Sequence, residues 1–302
     1  MLIQSVQSYL EVRRACGFEL KTQGNLLRSF ATFSDERNDA YVRANTAIEW
    51  AGFANVAQTR ARRLGAVIRF ARYVRAEDSK HELPLPVFGR ETRPRPTPYI
   101  LSKDEIQRLI QAAAQSGYVT LRRDTYATLF ALLACTGLRV SEAIALRFDD
   151  ITADGLMIRC SKFRKSRIVP VHDTTLAGLK RYLEQRRPYA PFDDHVFISL
   201  RRKPLLIADV ESAFRTAVRK IGLPQGDGLP HATPHSLRHT FAVRSLEACP
   251  VDRAHVTKHT VALSTYLGHA SVANTYWYLQ ATPDLMRDIA HLSECFVSGE
   301  PL

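Results

Sequence analysis

The sequence predicts a mainly α-helical chain with one small antiparallel β-sheet, an α+β arrangement in two domains. Three observations predict it. Apolar residues recur at helical spacing over most of the 302 residues. Two β-type runs flank a polar turn between Gly155 and Val171. A proline-arginine stretch, Arg90–Pro98, separates a shorter part from a longer one.

Taken in order, residues 1–89 read as a helical domain. In Ala61–Arg75, Leu64, Val67, Ile68, Ala71 and Val74 mark one buried helix face. The prolines of ELPLPVFG end that helical region. Residues 90–98, RETRPRPTP, carry prolines at alternate positions and three arginines, the composition of a stiff, solvated linker. Residues 99–302 form the second domain. Ser102-Lys-Asp-Glu105 opens its first helix with a capping-box pattern. Asp124–Thr136 is an apolar helix that stops at Gly137. Gly155–Cys160 and Arg167–Val171 are the two arms of a hairpin, and Ser161–Ser166 is its turn. The rest reads as helix, with loops at Pro188–Asp194 and Gly222–Pro234. Leu285, Ile289, Leu292 and Phe296 predict a short amphipathic tail helix.

Charge narrows the class of partner. The chain carries 42 Lys and Arg against 30 Asp and Glu, a net +12. Such an excess favours a polyanion, either nucleic acid or an anionic membrane. No stretch approaches the roughly 18 apolar residues of a spanning helix, so the membrane reading weakens. The start, MLIQSVQSYLEVRR, lacks the plan of a secretory signal. The five cysteines, Cys16, Cys135, Cys160, Cys249 and Cys295, are scattered and include no CxxC, against a disulfide framework or a thiolate metal site. Cys135 and Cys160 sit in apolar or strand-like runs and read as buried thiols. The expectation is a cytoplasmic protein without metal. From Arg60 to Arg75 there are six arginines, Arg60, Arg62, Arg63, Arg69, Arg72 and Arg75, and no acidic residue. A solvated basic face would look the same, but the sharper reading is a helix laid on DNA phosphates.

Four clusters carry the candidate chemistry: Thr136-Gly-Leu-Arg-Val-Ser-Glu142, Ser161-Lys-Phe-Arg-Lys-Ser-Arg-Ile-Val-Pro170, Pro234-His-Ser-Leu-Arg-His-Thr-Phe241, and Leu267-Gly-His-Ala-Ser-Val-Ala-Asn-Thr-Tyr-Trp-Tyr278. Each has an ordinary explanation alone. Arg139 and Glu142 could form a local i,i+3 pair, a turn lysine is normally solvated, and a tyrosine beside Trp277 usually packs. Tyr276 and Tyr278, two residues apart, cannot both face one side of a helix.

In this order the four clusters resemble the tyrosine recombinase (phage integrase) family, from about Tyr99 to the C-terminus. The N-terminal region is similar to the family's core-binding domain in length and helical character, without a motif. The resemblance implies a catalytic domain in which Arg139 and Arg238 clamp a DNA phosphate, with the planar fork suited to that job. His235 and His269 match the family's two histidine positions. Lys162 matches the hairpin lysine that protonates the leaving 5′ oxygen, with Lys165 as its rival. Glu142 and His239 match supporting positions. The family places its nucleophile nine residues beyond the second histidine, which falls on Tyr278. Cleavage through a 3′-phosphotyrosyl link conserves the bond energy, so no cofactor is implied.

The implied partners are double-stranded DNA and further copies of the chain, as a tetramer in the synaptic complex. Partner recombinases from the same element are a further expectation, since the wording around Ser264–Ala270 and Thr275–Leu279 is similar to recombinases of mobile elements. The 31 residues from Arg238 to His269 exceed the compact family spacing. The expected activity is site-specific recombination for integration, excision or transposition. The rival expectations are a type IB topoisomerase-like nicking-closing enzyme and a catalytically silent DNA-binding accessory protein.

Overall fold

The structure, a computed structural model, describes residues 2–89, 97–159, 166–190, 192–224, 230–248, 253–269 and 271–279. Residues 90–96 of the expected linker, Cys160, the hairpin turn with Lys162 and Lys165, and the expected tail helix lie outside them. The chain folds as two compact units, Met1–Arg95 and Pro96–Leu302.

The first unit contains α1 (Leu2–Ala15), α2 (Lys21–Asp35), α3 (Ala44–Gly52) and α4 (Ala57–Glu77). The predicted apolar face of α4 is the one that packs: Leu64, Val67, Ile68, Ala71 and Val74 are all buried. Aromatic residues tie the helices together. Tyr9 of α1 meets Phe70 edge-on at 5.6 Å, and Phe30 of α2 meets Trp50 of α3 at 5.5 Å. Such pairs add to the area they remove from water.

The second unit begins with α5 (Lys103–Ala114), α6 (Thr120–Thr136) and α7 (Val140–Ile144). A sheet of β1 (Ile151–Thr152), β2 (Gly155–Ile158) and β3 (Arg167–Val169) follows. Then come α8 (Asp173–Arg186), α9 (Ile207–Lys220), α10 (Pro234–Glu247), α11 (Arg253–Leu267) and α12 (Ala273–Leu279). The capping box of α5 forms as the sequence suggests: the Glu105 N–H donates to Ser102 Oγ at 3.1 Å, and the Ser102 N–H donates to the Glu105 carboxylate at 2.7 Å. The sheet is antiparallel in the order β1-β2-β3, with Leu156 opposite Val169. Its central pair is the predicted hairpin. The two-residue β1, with Thr152 opposite Gly155, is too short to leave an alternating pattern in the sequence.

The core of this unit lies between α5, α6, α8, α9 and the sheet. Phe130 meets Phe214 at 5.3 Å, and Tyr182 stacks on Phe197 at 5.4 Å. Helix α10 packs against α6, and the Leu101 N–H donates to Thr240 Oγ1 of α10 at 2.9 Å. Ala242, Val243 and Leu246 of α10, Leu263 and Leu267 of α11, and Tyr278 of α12 make a second apolar cluster.

Cys135 departs from its expected burial: its thiol is exposed. The buried face of α6 is drawn by Leu129, Leu132, Leu133 and Thr136, and Cys135 falls on the opposite side of the turn. An apolar run on an amphipathic helix does not bury every member. Among the described residues, no helix is long and apolar enough to cross a membrane.

Gly137 ends α6 in the left-handed region, φ 60°. A Cβ there would lie 2.6 Å from Phe241 Cδ1. Gly137→Ala therefore adds backbone strain to a clash with the partly buried Phe241 ring, and it is expected to cost about 2 kcal/mol or more. Urea denaturation followed by circular dichroism measures that loss; a variant as stable as the wild type would contradict the packing described.

Candidate active site

Four pieces of the second unit converge. The turn after α6 supplies Arg139, which stands at the N-terminus of α7. Helix α10 supplies His235, Arg238 and His239, spaced to share one face. The end of α11 supplies the Tyr266–His269 turn, and α12 supplies Tyr278.

The arginines are anchored on the backbone of that turn. Arg238 is fully buried and donates to Gly137 O and to Leu267 O, both at 2.7 Å. Arg139 donates to Leu267 O at 3.4 Å and to Gly268 O at 3.0 Å. Two guanidinium groups thus share the Leu267 carbonyl. Each keeps further N–H donors for a ligand, because a guanidinium carries five.

One carboxylate holds this arrangement. Glu142 accepts from the Arg139 side chain at 2.7 Å and from the Arg139 N–H at 3.0 Å. It also accepts a two-pronged pair from Arg167, at 3.0 and 2.9 Å. Arg167, on β3, donates its Nε–H to Tyr266 O at 2.8 Å. Gly268, φ 65°, lies so close that a Cβ would fall 2.7 Å from an Arg167 nitrogen. Arg167 therefore ties the sheet to α7 and to the turn that carries His269. In the sequence Arg167 stands out only as part of a pattern. The signal was its position five residues beyond Lys162, at the start of the second hairpin arm.

Burial alone would push the Glu142 carboxyl up. Hydrogen bonds from Arg167 and the Arg139 backbone, with both guanidinium charges, outweigh it and hold the group at about 2. Burial, and then the neighbouring Arg139 charge, pulls Arg238 down to about 10, so it remains a cation at neutral pH. Burial and the charges of Arg238 and Arg139 lower His269 to about 4. The same causes lower His235 to about 4, and since that residue is solvent-exposed the guanidinium charges are the part that persists in water. Burial, followed by His235, Arg238 and His269, lowers His239 to about 3. Near neutrality the site thus holds fixed positive guanidinium groups beside neutral imidazoles.

The rings of this site lie close together. His235 meets His239 edge-on at 4.4 Å, and His239 lies 5.4 Å from the Tyr278 ring. His239 Nδ1 is 3.3 Å from the Tyr278 hydroxyl. His269 lies nearly parallel to the Tyr278 ring at 6.0 Å, with its Nδ1 held by Thr275 Oγ1 at 2.8 Å. Tyr278 is buried among these groups, whereas Tyr276 is half exposed. Of the two competing tyrosines, only Tyr278 joins the cluster. The structure thus brings Arg139, Glu142, His235, Arg238, His239, His269 and Tyr278 together, and Lys162 lies outside the described residues.

The six arginines of α4 divide. Arg69, Arg72 and Arg75 are exposed. Arg60 instead donates to Ala54 O at 2.7 Å and Arg63 lies over the Trp50 ring at 5.3 Å, so both hold the turn between α3 and α4. Arg62 is partly buried.

Among the described residues, one cluster could hold a metal ion, Asp193, Asp194 and His195. Its carboxylates are already paired, with Arg186 at 3.0 Å and Arg147 at 2.7 Å, and it contains none of the converging residues.

A carboxyl held at about 2 when folded, against an ordinary value of 4.5, stabilises the fold fully above pH 4.5 and loses that contribution as pH falls through 2. Wild-type stability should therefore fall between these values by on the order of 3 kcal/mol more than that of Glu142→Gln. Urea midpoints measured across this range test it, and parallel pH dependences for both proteins would contradict the bridge.

Known proteins bear on this arrangement. The profile of the phage integrase family matches residues 100–284. A Sinorhizobium fredii protein named as an integrase/recombinase, y4rB, is 37% identical over 300 residues, covering 94% of each chain. The tyrosine recombinase XerD of Caulobacter vibrioides is 29% identical over 257 residues, 81% of this chain and 75% of XerD. The fold is that of the XerH site-specific recombinase bound to palindromic difH DNA, with a TM-score of 0.66, 18% identity, and 91% and 80% of the two chains covered. The matched span takes in all of the converging residues, and the chain belongs to the phage integrase family, the tyrosine site-specific recombinases.

Proposed function

We propose that this recombinase cleaves one DNA strand with Tyr278, forms a 3′-phosphotyrosyl link, and passes the strand to a partner duplex in the integration, excision or transposition of a mobile element. The observation that carries the chemistry is the buried Tyr278 phenol gathered with the buried Arg238 and neutral histidines. Transfer at a phosphodiester builds negative charge on the non-bridging oxygens. Arg139 and Arg238 offer cations already fixed in place, so little reorganisation accompanies the reaction. His235 and His269 donate further hydrogen bonds to the phosphate. Lys162, in the hairpin turn, protonates the leaving 5′ oxygen. The freed 5′ hydroxyl of another strand then attacks the link, and neither a metal nor a nucleotide takes part.

Each protomer brings one Tyr278. Exchange between two duplexes cuts four strands, which calls for four protomers. Support for the mobile-element role is the likeness to the y4rB integrase/recombinase. The exposed Arg69, Arg72 and Arg75 of α4 are the DNA-backbone contacts of the first unit.

Sheared genomic DNA from the source organism, incubated with the protein and washed under denaturing conditions, tests the reaction. Wild type and Tyr276→Phe should retain covalently bound fragments with shared junction sequences, and Tyr278→Phe should retain none. An adduct that persists in Tyr278→Phe would move the nucleophile elsewhere. On a duplex recovered this way, replacing Arg69, Arg72 and Arg75 together by alanine should lower the slope of log affinity against log salt by about 3. An unchanged slope removes α4 from the interface.

A further inference from the structure

We infer that His239, through Nδ1, is the proton acceptor for the Tyr278 hydroxyl and returns that proton when the strand is rejoined. This rests on the functional reading above and gives a catalytic role to a residue that sequence reasoning treated as support. The geometry carries it. Nδ1 lies 3.3 Å from the phenol oxygen, within reach of a direct transfer. His269 is the other imidazole beside the phenol, but its ring lies 22° from parallel to it and its Nδ1 is engaged by Thr275. A face-on ring does not aim its in-plane lone pair at the hydroxyl.

The surroundings set the order of events. His239 is faced by His235 and Arg238 from α10 and by His269 from the turn after α11, besides Tyr278 on α12. Burial, and then those neighbours, keep its ring neutral, which leaves a lone pair available. They also make it a weak base on its own. A phosphodiester seated between Arg139 and Arg238 brings a negative charge that offsets the guanidinium field, so the imidazole gains basicity when substrate is in place. The step then balances. The phenol proton passes to Nδ1, the phenol oxygen bonds to phosphorus, and the bond from phosphorus to the 5′ oxygen breaks as that oxygen takes the proton that the functional reading above assigns to Lys162. In the reverse step the 5′ hydroxyl attacks phosphorus and gives its proton back to that lysine, and the imidazolium returns its own proton to the departing phenol oxygen.

A duplex recovered by covalent capture, nicked so that the cleaved end diffuses away, reads this in a single turnover. His239→Ala is expected to slow adduct formation by about 100-fold or more while binding the same duplex. Added imidazole should restore part of the rate in His239→Ala. His239→Asn places an amide oxygen near the Nδ1 position, where it accepts a hydrogen bond but takes up no proton. It should fold, remain slow and gain nothing from imidazole. A wild-type rate in either variant, or recovery in His239→Asn with no imidazole effect on His239→Ala, would overturn the proton-acceptor role and leave a merely structural one. Absence of any adduct from the wild type would overturn the functional reading itself, and with it this one.

Discussion

The Glu142 carboxylate is the point on which the site depends. It receives Arg139 and Arg167 at once, and these arginines also grip the backbone of the Tyr266–Gly268 turn. Two like charges brought together at the edge of a core repel, and only a shared counter-charge keeps them in register. One anion thereby positions a helix start, a strand and the turn before His269. Removing it would leave two poorly solvated cations facing each other, a much larger disturbance than the loss of a surface pair.

The site as a whole is deliberately unbalanced in charge. Glu142 answers Arg139 and Arg167, while Arg238 makes its shown bonds to carbonyl oxygens of Gly137 and Leu267. Carbonyls orient a guanidinium without cancelling its charge. Burial, aided by the same residual field, keeps three nearby imidazoles neutral. On the proposed reading a DNA phosphate supplies the balancing anion, and its negative charge raises the basicity of the rings beside the phenol. In that reading, binding and activation are coupled by electrostatics.

Much of this was legible in the sequence, and the reasons differ by element. The capping box at Ser102 and Glu105, the stop at Gly137 and the buried face of α4 are local patterns with local causes, so they could be read directly. The residues of the candidate site lie on four separate pieces of chain, and only a family resemblance could assemble them before the fold was known. Three features escaped. Strand β1 is two residues long and shows no period. Cys135 sits in an apolar run yet on the outer side of its helix, which the run alone hides. Arg60 and Arg63 look identical to Arg69 and Arg72 in composition, but a neighbouring turn and an indole claim them. Arg167 was visible as part of a pattern, while its partner Glu142 is 25 residues away, beyond any local rule.

The hydrogen bond from the Leu101 backbone to Thr240 has a mechanical consequence. Thr240 sits directly beyond Arg238 and His239 on α10, and Leu101 is among the first residues after the proline-arginine strap. The opening of the second unit is thus fastened to the helix that carries Arg238 and His239, at the very next residue along it. A substitution that frees the Leu101 backbone would loosen α10 one residue from those side chains, so this entry segment doubles as a brace for the candidate site.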